Sequence, residues 1–580
     1  VGIDGYQAFA KSALEIMSEV RDLFRNVQNH DPRLTDVAET HSAQFYGALL
    51  SIGYKALLLD RWIRDGDGDI RTVIGSPNLD AAAPNDFQFG RHEHLFAALA
   101  IRVPQEVNLL PVSAIQPDLF SGEFNTVPTF DKIWNVANRT ISGLAYKLIT
   151  RTTGSLGTGP LGTILIGEEV DGIEESFLKL VKRGWRLVKP NRAARNFVSA
   201  TNLQFEDLRK IMRELIFQHL ERYMRSSLIQ AVFDILWSRA EVVLSYHPSV
   251  IDHCDRQVAQ WLKVYERENR RVVYLSNGLY SPENRVLDSS LRRQGIPVIC
   301  LDHGVGAGLG LRQDYASHDA ISFSDRYLSF NRATTELYSK FQTRKKQKII
   351  STEAPAVMRR SNFPRLQRLA GRKYLGVSPN ELLLIYVTNL AVNNVPIGFG
   401  AGTDQYYANF QDKLVGALSE FPGRVAVKPY PAHRYADTEQ IWHMPLPKNL
   451  ILCPFGEFRH IRWAADVVLL DLCTSTFGWA MNSEAPVIFI DNKSCQMTDR
   501  AAASAKRSIF YFSSMVRDWE ESLAAHLRLS QKQRISKWME MADARREFNY
   551  HFLNGGDIAI ADCLLDCLDE ISLSNTATDN

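Results

Sequence analysis

The sequence predicts an α/β protein with two parallel sheets and a helical N-terminal extension. Short apolar runs alternate with stretches of helical periodicity from residue 71 to residue 301, and this alternation begins again at residue 382. Apolar strands that alternate with helices are typical of parallel sheets covered on both faces. The chain has 580 residues, more than one hydrophobic core normally organises, so two or three domains are expected.

The same pattern divides the chain into five segments. They are a helical extension at 1–63, a first Rossmann-like domain at 64–340, a basic linker at 341–375, a second Rossmann-like domain at 376–550, and a C-terminal segment at 551–580. In the C-terminal segment, Asp557 is the predicted N-cap of a last helix that crosses back to the first domain. The polar residues after Ile571 are predicted to be disordered.

Acids and imidazoles follow the predicted strands of the first domain. These strands lie at 163–166, 185–188, 242–245, 272–275 and 298–301, and a long helical region is predicted at 205–237. In an open parallel sheet, ligands bind beyond the carboxyl ends of the strands. The side chains placed there that suit proton transfer are Glu168, His247, Asp302 and His303. Glu168 is equally well explained as a first-turn acid of the next helix, and His247 as a structural residue before Pro248.

Small polar groups, hydroxyls and cations follow the strands of the second domain. These strands are predicted at 382–387, 424–428, 450–453, 467–470 and 487–490, and the chain after residue 491 is predicted to be helical. The residues placed at this carboxyl edge are Thr388, Asn389, Lys428, His433, Asp471, Ser475 and Thr476. A helix is predicted at 477–483, and a hydroxyl-rich helix N-terminus is a common phosphate site. An ordinary capped turn is the alternative interpretation of this stretch.

Residues 341–373 carry ten Lys or Arg residues and a single acid, Glu353. A solvated linker between the two domains explains this composition most simply. The alternative is a basic patch that contacts the anionic surface of the inner membrane, where each cation contributes about 1 kcal/mol.

Composition argues against several classes of protein. A formal net charge of +2 does not predict the basic face that nucleic-acid binders carry. No run of 18 apolar residues is present, and the first residues lack the basic and apolar regions of a secretion signal. Seven scattered cysteines are typical of a reduced protein, and their spacing indicates no zinc site. We therefore expect a cytoplasmic protein that does not bind nucleic acid.

Four motifs carry a resemblance to a known family. They are LDHGVGAG at 301–308, SDRYLSFN at 324–331, VKPYPAHRY at 427–435, and the stretch from Ala465 to Asp491. In this order they resemble the bacterial surface-polysaccharide glycosyltransferases of the GT-B fold. The groups most similar are the capsule and lipopolysaccharide transferases that use CMP-activated acidic sugars, and the CDP-glycerol glycerophosphotransferases. The resemblance covers residues 240–495 and leaves the first 160 residues without a match.

The resemblance implies two Rossmann-like domains that face a cleft, with a role for particular residues. His303, followed by glycine, corresponds to an active-site His-Gly of the family. Ser475 and Thr476 correspond to a Ser/Thr pair that assists in binding the nucleotide phosphate at a helix N-terminus. An acid at the position of Glu484 is common in the family and implies a contact with a sugar or ribose hydroxyl.

One motif departs from the family pattern. The family has a Lys-containing strand followed by His-Pro, which binds the nucleotide phosphate, whereas this chain has Tyr430-Pro431 at that point. Either His433 takes this role, or Lys428 and Tyr430 do.

The resemblance thus implies a glycosyltransferase that moves a sugar, most simply a CMP-linked acidic sugar such as Kdo or a nonulosonic acid, to a glycan or lipid-linked glycan acceptor. His303, oriented by Asp302, is the expected acid or base, and Glu168 is the alternative carboxylate. The nucleotide sugar is a substrate, so no separate cofactor and no metal are expected. One alternative is a glycerophosphate transferase of the CDP-glycerol type. The other is a non-catalytic GT-B-like binding or scaffold module.

Overall fold

The structure is a computed structural model. It describes residues 3–27, 37–64, 71–75, 99, 102–103, 107–111, 155–157, 159–167, 173–191, 197, 205–265, 271–276, 282–302, 304, 306–310, 321, 324–340, 347–355, 363–388, 404–429, 446–453, 457–493 and 495–576.

The strands, in chain order, are β1 (Arg71–Gly75), β2 (Val107–Pro111), β3 (Ser155–Leu156), β4 (Gly162–Ile166), β5 (Trp185–Val188), β6 (Arg271–Ser276), β7 (Val298–Leu301), β8 (Arg326–Ser329), β9 (Lys348–Ser351), β10 (Leu383–Val387), β11 (Arg424–Lys428), β12 (Leu450–Leu452), β13 (Val467–Leu470), β14 (Val487–Asp491) and β15 (Phe510–Ser513).

The helices are α1 (Ile3–Val27), α2 (Val37–Arg64), α3 (Ile173–Arg183), α4 (Glu206–Leu220), α5 (Ser226–Tyr265), α6 (Pro282–Arg293), α7 (Arg332–Ser339), α8 (Pro364–Tyr374), α9 (Asp404–Leu418), α10 (Phe458–Ile461), α11 (Ser475–Met481), α12 (Asp499–Ser508), α13 (Trp519–Leu527), α14 (Gln531–Glu540), α15 (Ala542–Phe548) and α16 (Ile560–Thr576). A 3₁₀ turn, Arg462–Ala464, follows α10, and a π-helical turn, Asn549–Leu553, follows α15.

Two separate sheets organise the chain. The first sheet has the order β3-β5-β4-β6-β7-β8-β9 and is parallel except for the short edge strand β3. The second sheet has the order β12-β11-β10-β13-β14-β15 and is parallel throughout. The strands β1 and β2 form a small parallel pair of their own. The predicted fold class, α/β with two Rossmann-like sheets, is confirmed.

The strand order fixes where each sheet can bind a ligand. In the second sheet the chain passes from β10 outward to β11 and β12, and then returns to the other side of β10 to form β13. The first sheet reverses in the same way, between β4 and β6. Such a reversal leaves a crevice beyond the carboxyl ends of the two central strands, because the following loops diverge there.

A separate apolar core unites the N-terminal helices with later helices. The helices α1 and α2 pack with α4 and with the first half of α5, and their buried residues form one cluster. The helical unit at the N-terminus therefore draws on residues 206–244 as well as on the first 63 residues. Within the described part of the chain, no helix is long and apolar enough to cross a membrane.

Three elements differ from the sequence-based predictions. The strand predicted at 242–245 is wrong, because these residues lie inside α5 together with His247 and Pro248. A short apolar run can form part of a buried helix face as well as a strand, and here the helix continues on both sides of it. The helix predicted after residue 491 is interrupted by β15, which adds an edge strand to the second sheet. The helix predicted at 477–483 begins two residues earlier, at Ser475.

The segment 341–375, predicted to be a basic linker, contains two ordered elements. The strand β9 forms the edge of the first sheet beside β8, and α8 packs on the 3₁₀ turn at Arg462–Ala464. Only part of the basic composition therefore belongs to solvated chain.

The last helix lies against the unit of the first sheet. Lys179 on α3 pairs with Asp562 at 2.8 Å, and Glu570 pairs with Lys348 on β9 at 2.8 Å. The helix begins at Ile560, so Asp557 is not its N-cap; the Asp557 carboxylate instead pairs with Arg332 at 2.7 Å. The helix also continues to Thr576, through residues that were predicted to be disordered.

Candidate functional site

The carboxyl edges of the two sheets meet at a pair of glycines. Gly304 and Gly306 lie in the loop after β7, and they touch the segment that leads into α11 in the second sheet. A Cβ at Gly304 would lie 2.0 Å from Ser475 Oγ, and one at Gly306 would lie 2.8 Å from Thr474 Cα. At Gly306 the clash is with backbone and leaves no room for a side chain, whereas a Cβ at Gly304 would force Ser475 to move. The close contact between the sheets therefore favours glycine at both positions.

The loop after β7 is anchored to the second sheet at its far end as well. Gly310 forms an antiparallel bridge with Met497, and the backbone N–H of Thr498 donates to Leu309 O at 2.8 Å. On its other side, Thr334 Oγ1 donates to Ala307 O at 2.5 Å. The contact between the two edges is therefore held by hydrogen bonds at several points along the loop.

Asp302 opens this loop and holds its shape. The side chain is 4% exposed, and its Oδ1 accepts hydrogen bonds from Tyr327 Oη at 3.1 Å and from the Gly304 N–H at 3.4 Å. Its Oδ2 accepts from the Phe330 N–H at 3.4 Å. Donors from the neighbouring strand β8 and from its own loop thus surround the carboxylate. This arrangement suits a residue that positions the loop better than one that attacks a substrate.

At the edge of the second sheet, Thr388 and Lys428 come together at the ends of adjacent strands. The Thr388 N–H donates to Lys428 O at 3.2 Å, and Lys428 Nζ donates to Pro429 O at 2.7 Å. Lys428 is only 4% exposed. A cation held at the carboxyl end of β11 places positive charge beside the crevice where the strand order reverses.

Asp471 lies beneath this edge in the protein interior. The residue is fully buried, and its Oδ2 accepts hydrogen bonds from Tyr386 Oη at 3.0 Å and Tyr407 Oη at 2.7 Å. Burial, together with the charge of Asp471, raises the pKa of Tyr386 well above its ordinary value, so the phenol stays a donor. Asp471 therefore ties β10 and α9 to the end of β13.

Ser475 and Thr476 form the first turn of α11. Thr474 precedes them in an extended conformation, and its side chain makes no capping hydrogen bond. The first helical hydrogen bond of the turn runs from the Phe477 N–H to Thr474 O at 2.8 Å. The N–H groups of Ser475 and Thr476 precede this first helical hydrogen bond, and both residues are half-buried. Ser475 lies at the contact with Gly304, which is where the edges of the two sheets meet.

Glu484 lies at the opposite end of α11 from Ser475. Seven helical residues separate the two ends by about 10 Å. At that end, Glu484 lines a cavity together with Arg365, Arg368 and Arg462. The structure therefore does not bring Glu484 to the edge that carries Ser475 and Thr476.

Two groups near the edge were not predicted. Cys473 and Cys495 are fully buried with their Sγ atoms 3.1 Å apart, and this contact together with burial raises the pKa of the Cys473 thiol well above its ordinary value. Cys473 is thus a thiol and not a reactive thiolate. Asp491 ends β14 and accepts a hydrogen bond from Tyr511, and burial raises its pKa to about 6. No motif in the sequence marks these pairs, because their partners are distant in the chain.

Five predicted site residues lie outside the described residues: Glu168, His303, Asn389, Tyr430 and His433. Their roles stay predictions. Among the residues that the structure does describe, no group of three or more His, Cys, Asp or Glu side chains is arranged to hold a metal ion.

The fold and the edge contacts define a two-sheet α/β protein in which the carboxyl edges of the sheets meet at a glycine contact. No family model matches the sequence, and no curated protein matches it. Solved structures with a similar chain path include an α,α-trehalose 6-phosphate synthase from Burkholderia multivorans, at 10% identity and a TM-score of 0.40, covering 72% of this chain and 98% of that one.

Two other solved structures are similar to the same extent. Anabaena HepE, in complex with UDP-glucose, has 12% identity and a TM-score of 0.38, with 72% of this chain and 100% of that chain covered. The wall teichoic acid polymerase TagF has 12% identity and a TM-score of 0.35, with 57% of this chain and 86% of that chain covered. Scores this low carry no argument about chemistry, and the fold assignment rests on the strand order.

Proposed function

We propose that this protein is a nucleotide-sugar-dependent glycosyltransferase of the GT-B type. The observation that carries the proposal is the close contact of Gly304 with Ser475. It joins the carboxyl edge of one sheet to the carboxyl edge of the other, so a donor on one edge and a catalytic group on the other lie within reach of a single substrate.

The second sheet forms the donor wall in this proposal. The Lys428 ammonium and the first-turn N–H groups of Ser475 and Thr476 supply positive charge and donors for the nucleotide phosphate. Thr388 adds a polar group at the end of the central strand β10. These groups do for the phosphate what a divalent cation does in other transferases. Asn389 and His433 are assigned to the same wall on the sequence pattern alone.

The first sheet supplies the chemistry. His303 stands in the chain between Asp302 and Gly304, and both of these neighbours are held by hydrogen bonds or close contacts. An imidazole at that position would act as general acid or base for the acceptor hydroxyl or the leaving group. Glu168, which follows β4 in the chain, is the alternative carboxylate, and β6 lies between β4 and β7 in the sheet.

The finer assignment is a CMP-linked acidic sugar as donor, a bacterial surface glycan as acceptor, and the cytoplasmic face of the inner membrane as the place of action. It rests on the motif resemblance, which also includes the CDP-glycerol transferases. Because both donors are cytidine nucleotides, the same wall would hold either.

A thermal-shift panel of CMP, CDP, UDP and GDP tests the donor class. A ligand that binds only the native state stabilises it by about 2.7 kcal/mol at a concentration one hundred times its Kd. We expect cytidine nucleotides to raise the melting temperature more than UDP or GDP does. Stabilisation by none of the four nucleotides would contradict the proposal.

Turnover assays then separate the alternatives. Release of CMP from a CMP-linked acidic sugar supports the glycosyltransferase, and release of CMP from CDP-glycerol supports the glycerophosphate transferase. Nucleotide binding without turnover of either donor supports a binding module.

A further inference from the structure

The helix α8 has its polar face turned inward and its apolar face turned outward. Gln367, Gly371 and Arg372 are buried against the protein, whereas Leu366 is 64% exposed and Leu369 is 54% exposed. Phe363, immediately before the helix, is 55% exposed. A surface helix ordinarily buries its apolar stripe, so this reversal needs an explanation.

Buried hydrogen bonds fix this orientation. Arg372 Nη1 donates to Ala464 O at 2.8 Å and pairs with Asp466 Oδ2 at 3.2 Å. Arg368 Nη2 pairs with the other oxygen of Asp466 at 2.5 Å. Rotation of the helix to bury its leucines would separate Arg368 and Arg372 from Asp466, and breaking a buried ion pair in this way costs several kcal/mol. The outward position of Leu366 and Leu369 is thus built into the fold.

The charges on α8 are all of one sign. The helix contains no Asp or Glu and four cations, two of which, Arg368 and Arg372, are engaged by Asp466. The other two, Arg365 and Lys373, are exposed on the same outward side as the leucines. An apolar ridge bordered by cations is the pattern of helices that lie in the headgroup region of an anionic bilayer.

An arginine-lined cavity adjoins the start of α8. It has a volume of about 240 Å³ and is lined by Arg365, Arg368, Arg462, Trp463 and Glu484 among others. The Arg462 guanidinium lies over the rings of Trp463 and Trp479, at 4.7 and 4.4 Å from their centroids. Burial and the nearby Arg459 lower the pKa of Arg462 to about 9, which still leaves it charged at neutral pH. Arg368 is already paired with Asp466, and the Arg365 and Arg462 guanidinium groups against the single Glu484 carboxylate still favour an anion. The volume suits a phosphate headgroup better than a nucleotide sugar.

We propose that the outward face of α8 is a docking surface for a lipid bilayer with anionic phosphate headgroups. Leu366 and Leu369 enter the boundary of the acyl chains, Arg365 and Lys373 contact the headgroups, and the adjoining cavity takes a lipid phosphate. A surface that binds a protein partner would be expected to carry acids as well as cations around its apolar ridge, whereas α8 carries cations alone. The proposal adds a partner to the proposed function, and its test measures binding without turnover, so the two can fail separately.

Vesicle flotation of the whole chain tests the docking surface. We expect the protein to float with vesicles that contain about a third phosphatidylglycerol and much less with pure phosphatidylcholine, because about 1 kcal/mol per cation is gained only at an anionic surface. In the variant L366Q/L369Q the partition coefficient onto anionic vesicles should fall about tenfold or more, since two leucine side chains no longer enter the apolar boundary of the bilayer. The variant R365Q/K373Q should lose the preference for the anionic lipid.

A matched control uses leucines of similar exposure on the unit of the first sheet. Leu161 and Leu178 are 45% and 47% exposed, and L161Q/L178Q should float like the parent. An equal loss in this control, or failure of the parent to float with anionic vesicles, would overturn the proposal. The proposal would also be overturned if light scattering showed that the parent is a dimer and that L366Q/L369Q is a monomer, because a second copy of the chain would then cover α8. Thermal stabilisation by inorganic phosphate without any vesicle binding would assign the cavity to a free anion and also overturn it. Nucleotide affinity, measured in parallel, should be the same in all variants.

Discussion

The contact between Gly304 and Ser475 can be tested by adding a single methyl group. In Gly304→Ala the new Cβ would lie 2.0 Å from Ser475 Oγ and 3.0 Å from Ser475 Cβ, so the two edges must move apart or Ser475 must change its rotamer. In Gly306→Ala the new Cβ would lie 2.8 Å from Thr474 Cα, which is backbone and cannot rotate away. Overpacking of this kind costs about 1–3 kcal/mol, and we expect Gly306→Ala to cost more than Gly304→Ala.

The effect on activity should exceed the effect on stability. A displacement of about 1 Å between donor and catalytic groups can reduce turnover about 100-fold, even when the protein stays folded. Urea unfolding measures the free energy of unfolding of each variant, and product formation with a saturating donor measures turnover.

Two further variants make the measurement specific. Gly416→Ala is the control, because nothing lies within 4 Å of its Cβ position inside α9, and it should be neutral or stabilising by about 0.5–1 kcal/mol. The double variant Gly304→Ala/Ser475→Ala removes the Oγ clash and should recover part of the loss, with a coupling energy of about 0.5–3 kcal/mol. If Gly306→Ala behaves like Gly416→Ala in both assays, the two sheet edges do not meet at these glycines and the proposed site is wrong.

Three other predictions concern the walls of the site and the pH dependence of stability. Replacing Ser475 and Thr476 together by Ala should weaken nucleotide binding by about 1.5–3 kcal/mol for each charge-assisted hydrogen bond lost, and an unchanged affinity in calorimetry would refute the donor wall. His303→Ala should lower turnover by about 10²–10⁴-fold, keep nucleotide affinity within a few-fold, and remove an imidazole limb from the pH profile. If Glu168→Gln abolishes activity while His303→Ala keeps it, the carboxylate is the catalytic group. Because burial raises the pKa of Asp491 from 3.8 to about 6, the protonated form stabilises the fold below 3.8, and this contribution is lost as pH rises through 6. Asp491→Asn should flatten urea-unfolding stability across that pH window, and an unchanged slope would show that Asp491 is not the group responsible.

The strand ends of both sheets could be predicted because the signal is local. An apolar run of the length of a strand followed by a polar residue marks the end of a buried parallel strand, as at Leu301-Asp302 and Leu470-Asp471. The same signal is ambiguous where a helix is long enough to contain such a run. Residues 242–245 satisfy both periods, and in the structure Val243 and Leu244 are buried in the core that α5 shares with α1, α2 and α4.

The position of Glu484 could not be predicted from its nearness to Ser475 in the sequence. The helix α11 lies between them, so two residues that are nine positions apart in the sequence stand at its opposite ends. The orientation of α8 was also beyond prediction from its pattern, because the side that faces inward is decided by Asp466, about a hundred residues further along the chain. A prediction from local periodicity alone would have placed Leu366 and Leu369 on the buried side of the helix.

The acids at the ends of three strands share an environment that suits a structural role better than contact with a substrate. Asp302, Asp471 and Asp491 stand at the ends of β7, β13 and β14, and each accepts a hydrogen bond from a tyrosine hydroxyl on a neighbouring strand: Tyr327, Tyr386 and Tyr511, respectively. All three acids are buried, and a buried carboxylate is stable only when donors surround it. These pairs hold adjacent strand ends at a set spacing, and each tyrosine engages one oxygen of its carboxylate. We therefore expect contact with a ligand to fall to other residues at these edges, and in the described part of the chain the proposed groups are the hydroxyls and N–H groups of Ser475 and Thr476. That is why a substitution at Asp471 should reduce stability first, whereas one at Ser475 should reduce affinity first.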